Sequence, residues 1–188
     1  MKIKKEQVIT ITFCIFFTIL IMLFSYKVSL GTTTLTENQQ STISFLDNKA
    51  ELNLNYTVNE ASHLEDVKGV MKVVDYCFYL SLVVVTFMIT ANKRKKEIIK
   101  KLFLYGGVSS LIFSGLTLLF TLLSFNFAFT AFHKIFFPQG NWLFPIDSLL
   151  IQTFPINFFI TISARIMITA VMIAGGTIFI ARRMKNDN

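Results

Sequence analysis

The chain has 188 residues, of which 53% are hydrophobic and 21 are phenylalanines, a composition that excludes an ordinary soluble domain and predicts a small membrane protein. The net charge of +7 does not indicate a nucleic-acid surface, because the basic residues fall in short clusters that each border an apolar run. The two cysteines, Cys14 and Cys77, lie within apolar runs, so we expect neither a disulfide framework nor a metal cluster.

Four apolar segments are long enough to cross the hydrocarbon core of a bilayer, which needs about 20 helical residues. We place these spans at residues 8–30, 73–91, 102–125 and 156–181. The third span carries small residues at every fourth position, which would let another helix approach closely, and the fourth carries a similar pair. These positions are Gly106, Ser110 and Ser114 on the third span, and Ala170 and Ala174 on the fourth.

The charge distribution predicts the orientation of the spans. Three segments, residues 1–7, 92–101 and 182–188, together hold 12 basic and 3 acidic residues, whereas the rest of the chain holds 6 basic and 8 acidic. Because positive charge collects on the cytoplasmic side, these three segments are expected inside the cell, with both termini. Residues 31–72 and 126–155 are then two extracytoplasmic loops.

The first outer loop predicts a small cap with some β structure. Thr36 to Gln39 matches a capping box and starts a short amphipathic helix. Residues from Glu51 to Val58 alternate between polar and apolar, the period of a half-buried strand, whose partner we expect near Trp142 to Phe144. The predicted fold class is therefore a mainly α membrane protein, with four transmembrane helices and a β-containing extracytoplasmic cap built from the two outer loops.

The end of the first outer loop predicts a helix that continues into the second span. Ser62 to Glu65 matches a second capping box, where we expect this helix to begin. On such a helix His63 and Asp66 lie three residues apart and share one face.

The stretch from Phe125 to Phe159 combines many aromatic residues with all three prolines and the only tryptophan. Burying or membrane-docking each ring is worth roughly 1.5–3 kcal/mol, so this segment is expected at the membrane surface rather than in solvent. The prolines restrict the residues before them to extended geometry, which predicts turns and short helical pieces rather than one long helix.

The two histidines, His63 and His133, are the first candidates for chemistry, because histidine is the side chain that titrates near neutrality without perturbation. The alternative is that each is an interfacial side chain with an apolar body and a wet tip. Asp66 is expected to orient His63 by accepting a ring N–H. Two histidines without further ligands make an incomplete metal site, and we expect neither a metal nor another cofactor.

Asp75 and Arg165 form a second pair of candidates, since both lie within apolar spans and 17 residues from the cytoplasmic ends at Asn92 and Arg182. They should share a depth near the outer boundary. One interpretation is a structural ion pair, or separate snorkelling. The other is that Arg165 polarises an ester carbonyl or positions a lipid glyceryl group.

Motif searches leave several classes of function open. The chain contains no GxSxG nucleophile elbow, Walker loop or dinucleotide glycine pattern, so nucleotide chemistry is not expected. A noncatalytic membrane protein, whose outer cap binds a lipid or a protein partner, is one alternative to an enzyme. A transporter is less favoured, because the charged residues in the spans lie near one surface and provide no midplane polar pathway.

Two histidine motifs resemble a known family. SHLEDVKGVM at Ser62 to Met71 and FHKIFF at Phe132 to Phe137, followed by NWLF and TFPINFF, are similar to the bacterial lipoprotein intramolecular transacylase family. The resemblance covers essentially the whole chain, in its length and span layout as well as its motifs.

The resemblance implies a small four-helix membrane enzyme with a compact, β-containing outer cap. Its substrate would be a diacylglyceryl-modified bacterial lipoprotein, and its reaction the movement of the sn-2 acyl chain onto the α-amino group of the same N-terminal cysteine. The product would be a lyso-form lipoprotein. By motif, His63 and His133 match the positions expected to be catalytic, at the outer leaflet surface of the cell membrane.

Overall fold

The computed structural model describes residues 5–184, which form seven α-helices. The four long helices are α1 (Lys5–Gly31), α3 (Val58–Asn92), α4 (Lys96–Leu123) and α7 (Ile156–Arg183). The three short helices are α2 (Glu37–Leu46), α5 (Phe125–Phe136) and α6 (Leu149–Thr153). The four long helices have the length and hydropathy of membrane spans, the number that the sequence predicts. Four charged residues used in the orientation argument lie outside the described range: Lys2, Lys4, Lys185 and Asp187.

The predicted β structure of the cap is wrong, because residues 5–184 contain no strand. The alternating segment from Glu51 to Thr57 is irregular, and its apolar side chains Leu52 and Tyr56 pack on a cluster of helical residues. Tyr56 Oη also lies 2.8 Å from Thr42 Oγ1 on α2. One side of the segment is therefore half-buried against helical residues, which produces the period of a strand without a second strand. Trp142, near the expected partner strand, lies in a turn.

The start of α2 is predicted correctly. Gln39 N donates to Thr36 Oγ1 at 3.3 Å, and Thr36 N donates to Gln39 Oε1 at 3.1 Å, so both halves of the capping box are present. This reciprocal bonding satisfies two backbone donors that a helix start otherwise leaves without partners.

The predicted start of α3 at Ser62 is wrong, because the helix begins at Val58. Glu60 N donates to Thr57 Oγ1 at 3.3 Å, and Thr57 N donates to Glu60 Oε2 at 2.7 Å. Thr57 to Glu60 is itself a T-x-x-E sequence, so the sequence also contains a capping box at the observed start of the helix. This capping box, rather than the one at Ser62, determines where α3 begins.

One compact unit contains α1 together with parts of α3, α4 and α7. Gly106 on α4 is buried, and a Cβ added there would come within 2.8 Å of the Phe13 ring on α1. A Cβ at the next residue, Gly107, would lie 2.8 Å from Ile178 Cγ1 on α7. Ser110 Oγ lies 3.1 Å from Thr18 Oγ1. Small residues on α4 thus allow close helix packing, as predicted.

A second compact unit contains residues 32–75 and 120–163, and therefore α2, α5, α6 and the first part of α3. Its apolar core is formed by Phe45, Leu46, Leu64, Leu150 and Phe154. The aromatic segment forms α5, then turns, then α6, as the prolines predicted. Both candidate histidines belong to this unit.

A buried carboxylate joins two helix starts in the second unit. The Glu60 side chain is 1% exposed, and its Oε1 accepts a hydrogen bond from Leu150 N at 2.8 Å, at the start of α6. Its Oε2 accepts from Thr57 N and from Thr57 Oγ1. Burial alone would raise the pKa of Glu60, but these hydrogen bonds outweigh it and lower the pKa. Glu60 is therefore ionised and holds α3 and α6 together.

Candidate active site

His63 lies in the second turn of α3, ahead of the apolar segment at residues 73–91. The 35 residues of α3 extend for about 52 Å at 1.5 Å per residue, well beyond the roughly 30 Å of a hydrocarbon core. The first turns of α3 are therefore not needed to span the bilayer. Here the His63 ring is 6% exposed, beside the core residue Leu64.

His133 lies near the end of α5, where it is 9% exposed. Its Nδ1 lies 2.8 Å from the carbonyl oxygen of Phe129, one helical turn earlier. Because a carbonyl only accepts hydrogen bonds, Nδ1 carries the proton and donates it. Neutral His133 therefore has an unprotonated Nε2, which is the form of imidazole that accepts a proton.

The two imidazole rings lie side by side within the second unit. Their centroids are 6.1 Å apart and their planes differ by 28°. Phe137, which is 2% exposed, contacts both rings, with centroid distances of 4.7 Å to His63 and 5.5 Å to His133. Phe144 also packs near His63, and Trp142 near His133. The pair is thus held in a largely aromatic, weakly solvated environment.

This environment lowers the pKa of both histidines. Burial lowers the pKa of His63 most, the neighbouring His133 lowers it further, and Asp66 and Asn141 partly oppose them, which leaves a pKa of about 4. Burial also lowers the pKa of His133, against the hydrogen bond to the Phe129 carbonyl, which raises it. Both imidazoles are therefore neutral at pH 7.

Asp66 lies near His63 on α3, but its contacts differ from the predicted hydrogen bond to the imidazole. Its Oδ2 accepts hydrogen bonds from Gln139 Nε2 at 2.8 Å and from Asn141 Nδ2 at 2.6 Å. Asp66 therefore fixes two amides of the aromatic segment. It acts on His63 through its charge, which favours the imidazolium form.

Asn141 is a site residue that the sequence analysis does not single out. Since Asp66 accepts from Asn141 Nδ2, the amide orientation is fixed and Oδ1 points away from that hydrogen bond. Asn141 raises the pKa of His63, although neither Asn141 Oδ1 nor His63 Nδ1 makes an ordinary hydrogen bond and both atoms are buried. Asn141 is the first residue of the NWLF motif in the family resemblance, but the motif alone assigns it no role.

Asp75 lies outside the histidine pair. It follows His63 by 12 residues on α3, which places it about 18 Å further along the helix, where its side chain is exposed. Arg165 lies on α7 and is half-buried. The predicted ion pair and the predicted roles of these residues in positioning substrate stay predictions.

The residues around the pair do not form a metal-binding cluster. Across residues 5–184, no group of three or more His, Cys, Asp or Glu side chains is arranged to hold a metal ion. The pair provides two neutral imidazoles whose nitrogens can donate and accept protons, as general acid–base catalysis requires.

Comparisons with known proteins agree with the fold and the motifs. A model of the family described as lipoprotein intramolecular transacylase Lit matches residues 3–159. The in meso structure of the membrane integral lipoprotein intramolecular transacylase Lit from Bacillus cereus is similar, with a TM-score of 0.83, 18% sequence identity and 95% coverage of both chains. Two variants of that protein, with a histidine replaced by alanine or by arginine, each give a TM-score of 0.78 at 18% identity. They cover 95% of this chain and 93% and 91% of their own. A search of curated protein sequences returned no match.

Four span-length apolar helices and a buried imidazole pair define the class: a membrane-integral protein with a site suited to proton transfer. The family model matches far more than half of the chain, including both histidine motifs. The chain belongs to the lipoprotein intramolecular transacylase Lit family, which confirms the resemblance stated from sequence.

Proposed function

We propose that this protein transfers the sn-2 acyl chain of a diacylglyceryl-cysteine lipoprotein to the α-amino group of the same cysteine. The product is a lyso-form lipoprotein, with one N-acyl and one O-acyl chain. The observation that carries the proposal is the pair of buried imidazoles, 6.1 Å apart, in a chain of the transacylase family.

The reaction needs a proton transfer but no enzyme nucleophile. The amine nitrogen attacks the ester carbonyl carbon, the new C–N bond forms, the C–O bond breaks, and one proton passes from nitrogen to the glyceryl oxygen. Both reacting groups belong to one molecule, and well-oriented reactions of this type reach effective molarities of about 10⁵–10⁸ M. The protein then supplies orientation and proton transfer.

His133 is proposed as the base. Its Nδ1–H is engaged with the Phe129 carbonyl, which leaves Nε2 free to accept a proton from the attacking nitrogen. The imidazolium that forms then returns the proton to the glyceryl oxygen as that oxygen leaves. Because the resting pKa of His133 is lowered, the base is in its reactive neutral form at pH 7.

His63 is proposed to stabilise the oxyanion of the tetrahedral intermediate by donating a ring N–H. A pKa of about 4 keeps this imidazole neutral, so it donates a hydrogen bond without carrying a competing positive charge beside His133. A centroid separation of 6.1 Å lets both rings reach one reacting centre through hydrogen bonds of ordinary length.

The site is proposed to face the outer leaflet, with both termini in the cytoplasm. This orientation rests on the basic clusters at residues 92–101 and at the two ends of the chain. His63 precedes its span by 10 residues and His133 lies between the third and fourth spans, so both would be extracytoplasmic.

The test is a mass-spectrometric assay of acyl position on a diacylglyceryl-lipopeptide incubated with the purified protein in detergent. Wild-type protein should produce N-acyl, lyso-form lipopeptide. Alanine at His133 should lower kcat by about 10²–10⁴-fold, the usual contribution of one general base. Alanine at His63 should lower it by about 10²–10³-fold, as for loss of an oxyanion donor.

A second substitution at each position distinguishes the two roles. His63→Gln keeps an N–H donor and should recover part of the activity lost in His63→Ala, whereas His133→Gln provides no base and should recover none. All four variants are checked for unchanged thermal unfolding. Unchanged lipopeptide with wild-type protein, or full activity in both alanine variants, would refute the proposal and favour a noncatalytic lipid- or partner-binding function.

A further inference from the structure

A cleft with a mixed polar and apolar lining lies on the second unit, next to the histidine pair. Its volume is about 610 Å³, within the range of clefts that bury a drug-sized ligand. The lining residues that matter here are Asn59, Gln139, Asn141, Phe144, Asp147 and Ser148.

Two residues belong both to the cleft and to the surroundings of His63. The Phe144 ring packs against the His63 ring at a centroid distance of 5.7 Å, and Asn141 raises the pKa of His63. The cleft therefore borders the imidazole pair.

The lining of the cleft suits a peptide. Asn59 is exposed, and Gln139, whose Nε2 donates to Asp66, keeps its carbonyl oxygen as an acceptor. Such groups pair with backbone N–H and C=O groups, and Leu143 and Phe144 add apolar surface for side chains. Of the described residues that line it, none is basic and two are acidic. Glu60 is buried and bonded to Thr57 and Leu150, whereas Asp147 is exposed, so the accessible charge of the cleft is negative.

We infer that this cleft binds the peptide that follows the lipidated cysteine, and that Asp147 favours tails without acidic residues near that cysteine. The inference rests on the proposed function, which places the cysteine α-amine at the imidazoles. Successive Cα atoms are 3.8 Å apart, so the next few residues of the substrate remain within about 10–15 Å of the reacting atoms. The adjoining cleft is where those residues are accommodated.

The experiment compares three synthetic substrates with the same diacylglyceryl-cysteine. One is a simple cysteine amide, the second carries a neutral four-residue tail, and the third carries a tail with two aspartates. For wild-type protein, kcat/KM should be about tenfold higher for the substrate with the neutral tail than for the cysteine amide. The difference should lie mainly in KM, because a few hydrogen bonds to the tail stabilise the bound substrate and the transition state equally. The substrate with the acidic tail should have a kcat/KM close to that of the cysteine amide.

Two variants test whether the dependence of kcat/KM on the peptide tail arises in the cleft. Asn59→Trp fills the cleft from an exposed position on α3 and should bring the tail-to-amide ratio of kcat/KM close to one. Asp147→Lys should reverse the preference, so that the acidic tail becomes the better substrate. Glu65→Trp, exposed on α3 and absent from the cleft lining, is the matched control and should keep the wild-type ratio.

The outcomes separate this inference from the proposed function. Equal kcat/KM for the amide and the neutral tail, or a wild-type ratio in Asn59→Trp and Asp147→Lys, would overturn the peptide site while leaving acyl transfer intact. Failure of wild-type protein to convert all three substrates would instead overturn the proposed function, and the peptide site with it.

Discussion

His133 and His63 differ in the contact that decides which nitrogen carries a proton. The Phe129 carbonyl fixes the tautomer of His133, whereas His63 Nδ1 is buried without a hydrogen bond. The Phe129 contact leaves His133 Nε2 as a proton acceptor, which is why we propose His133 as the base and His63 as the oxyanion donor. Burial lowers the pKa of both and prevents two positive charges from forming side by side.

The lowered histidine pKa values predict how kcat/KM depends on pH. The attacking α-amine has a pKa of about 8 and reacts when neutral, so log kcat/KM should rise by about one per pH unit below pH 8. A histidine base of ordinary pKa would be protonated below about pH 6.5. Two groups would then have to lose a proton, and log kcat/KM would rise by about two per pH unit in that range. Because the pKa of His63 is about 4 and that of His133 is also lowered, the slope should still be near one at pH 6.5, and a second unit of slope should begin only below that pH.

The measurement is a kcat/KM profile from pH 5 to 9 with a neutral-tail lipopeptide. Protein held at each pH is returned to pH 7.5 and assayed again, which separates titration from unfolding. A slope of about two that begins at or above pH 6.5 would contradict neutral imidazoles in the resting site.

At the residue scale, sequence reasoning identified the histidines but not how they are held. His63 and His133 stood out because histidine alone titrates near neutrality without perturbation, and Asp66 because it lies three residues from His63 on one helix. The role of Asn141 depends on a hydrogen bond to Asp66, 75 positions earlier in the chain. No local pattern encodes a contact of that separation, and the same is true of the Glu60 bond to Leu150.

At the scale of elements, the two wrong predictions, the β structure of the cap and the start of α3, both come from interpreting a local sequence pattern without its tertiary contacts. The alternation at Leu52 and Tyr56 arises from packing on helices, since a single buried side gives the same period whether its neighbour is a strand or a helix. For α3, two successive capping sequences competed, and the one containing Thr57 is further stabilised because Glu60 also bonds to α6. Tertiary context decided both cases.

Glu60→Gln should destabilise the second unit. Glutamine retains one oxygen acceptor but places an amide donor opposite a second donor, so a charge-assisted hydrogen bond at either Thr57 or Leu150 is lost. A loss of about 2 kcal/mol is expected, which corresponds to a fall in Tm of about 4–8 °C. Glu65→Gln, an exposed position on the same helix, is the control and should change Tm little.

The pH dependence of this loss follows from the lowered pKa of Glu60. A carboxyl whose pKa falls on folding contributes stability above its unfolded pKa, and that contribution disappears as pH drops through the folded value. The Tm difference between wild type and Glu60→Gln should therefore narrow below about pH 4. A difference that is absent at pH 7, or that widens in acid, would show that Glu60 does not stabilise the fold as an anion.

At the scale of the whole molecule, the spans were the most predictable feature. A bilayer requires about 20 apolar residues and internal backbone hydrogen bonding, so composition alone finds the four long helices. The close packing of α4 was also predictable from its small residues, because close helix packing in a membrane depends on small side chains. The arrangement of the outer segments depends on specific polar contacts and aromatic packing, which composition does not predict.

The central claim is that the acyl chain moves within one lipoprotein molecule, with two neutral imidazoles handling the proton. An isotope crossover tests this most directly. Two diacylglyceryl-lipopeptides of different peptide mass, one with deuterated acyl chains, are mixed with the protein, and tandem mass spectrometry locates each N-acyl group. The account predicts that every N-acyl chain keeps the isotope of its own peptide. Deuterated N-acyl chains on the unlabelled peptide would reveal an acyl-enzyme or a second lipid donor, and would contradict it.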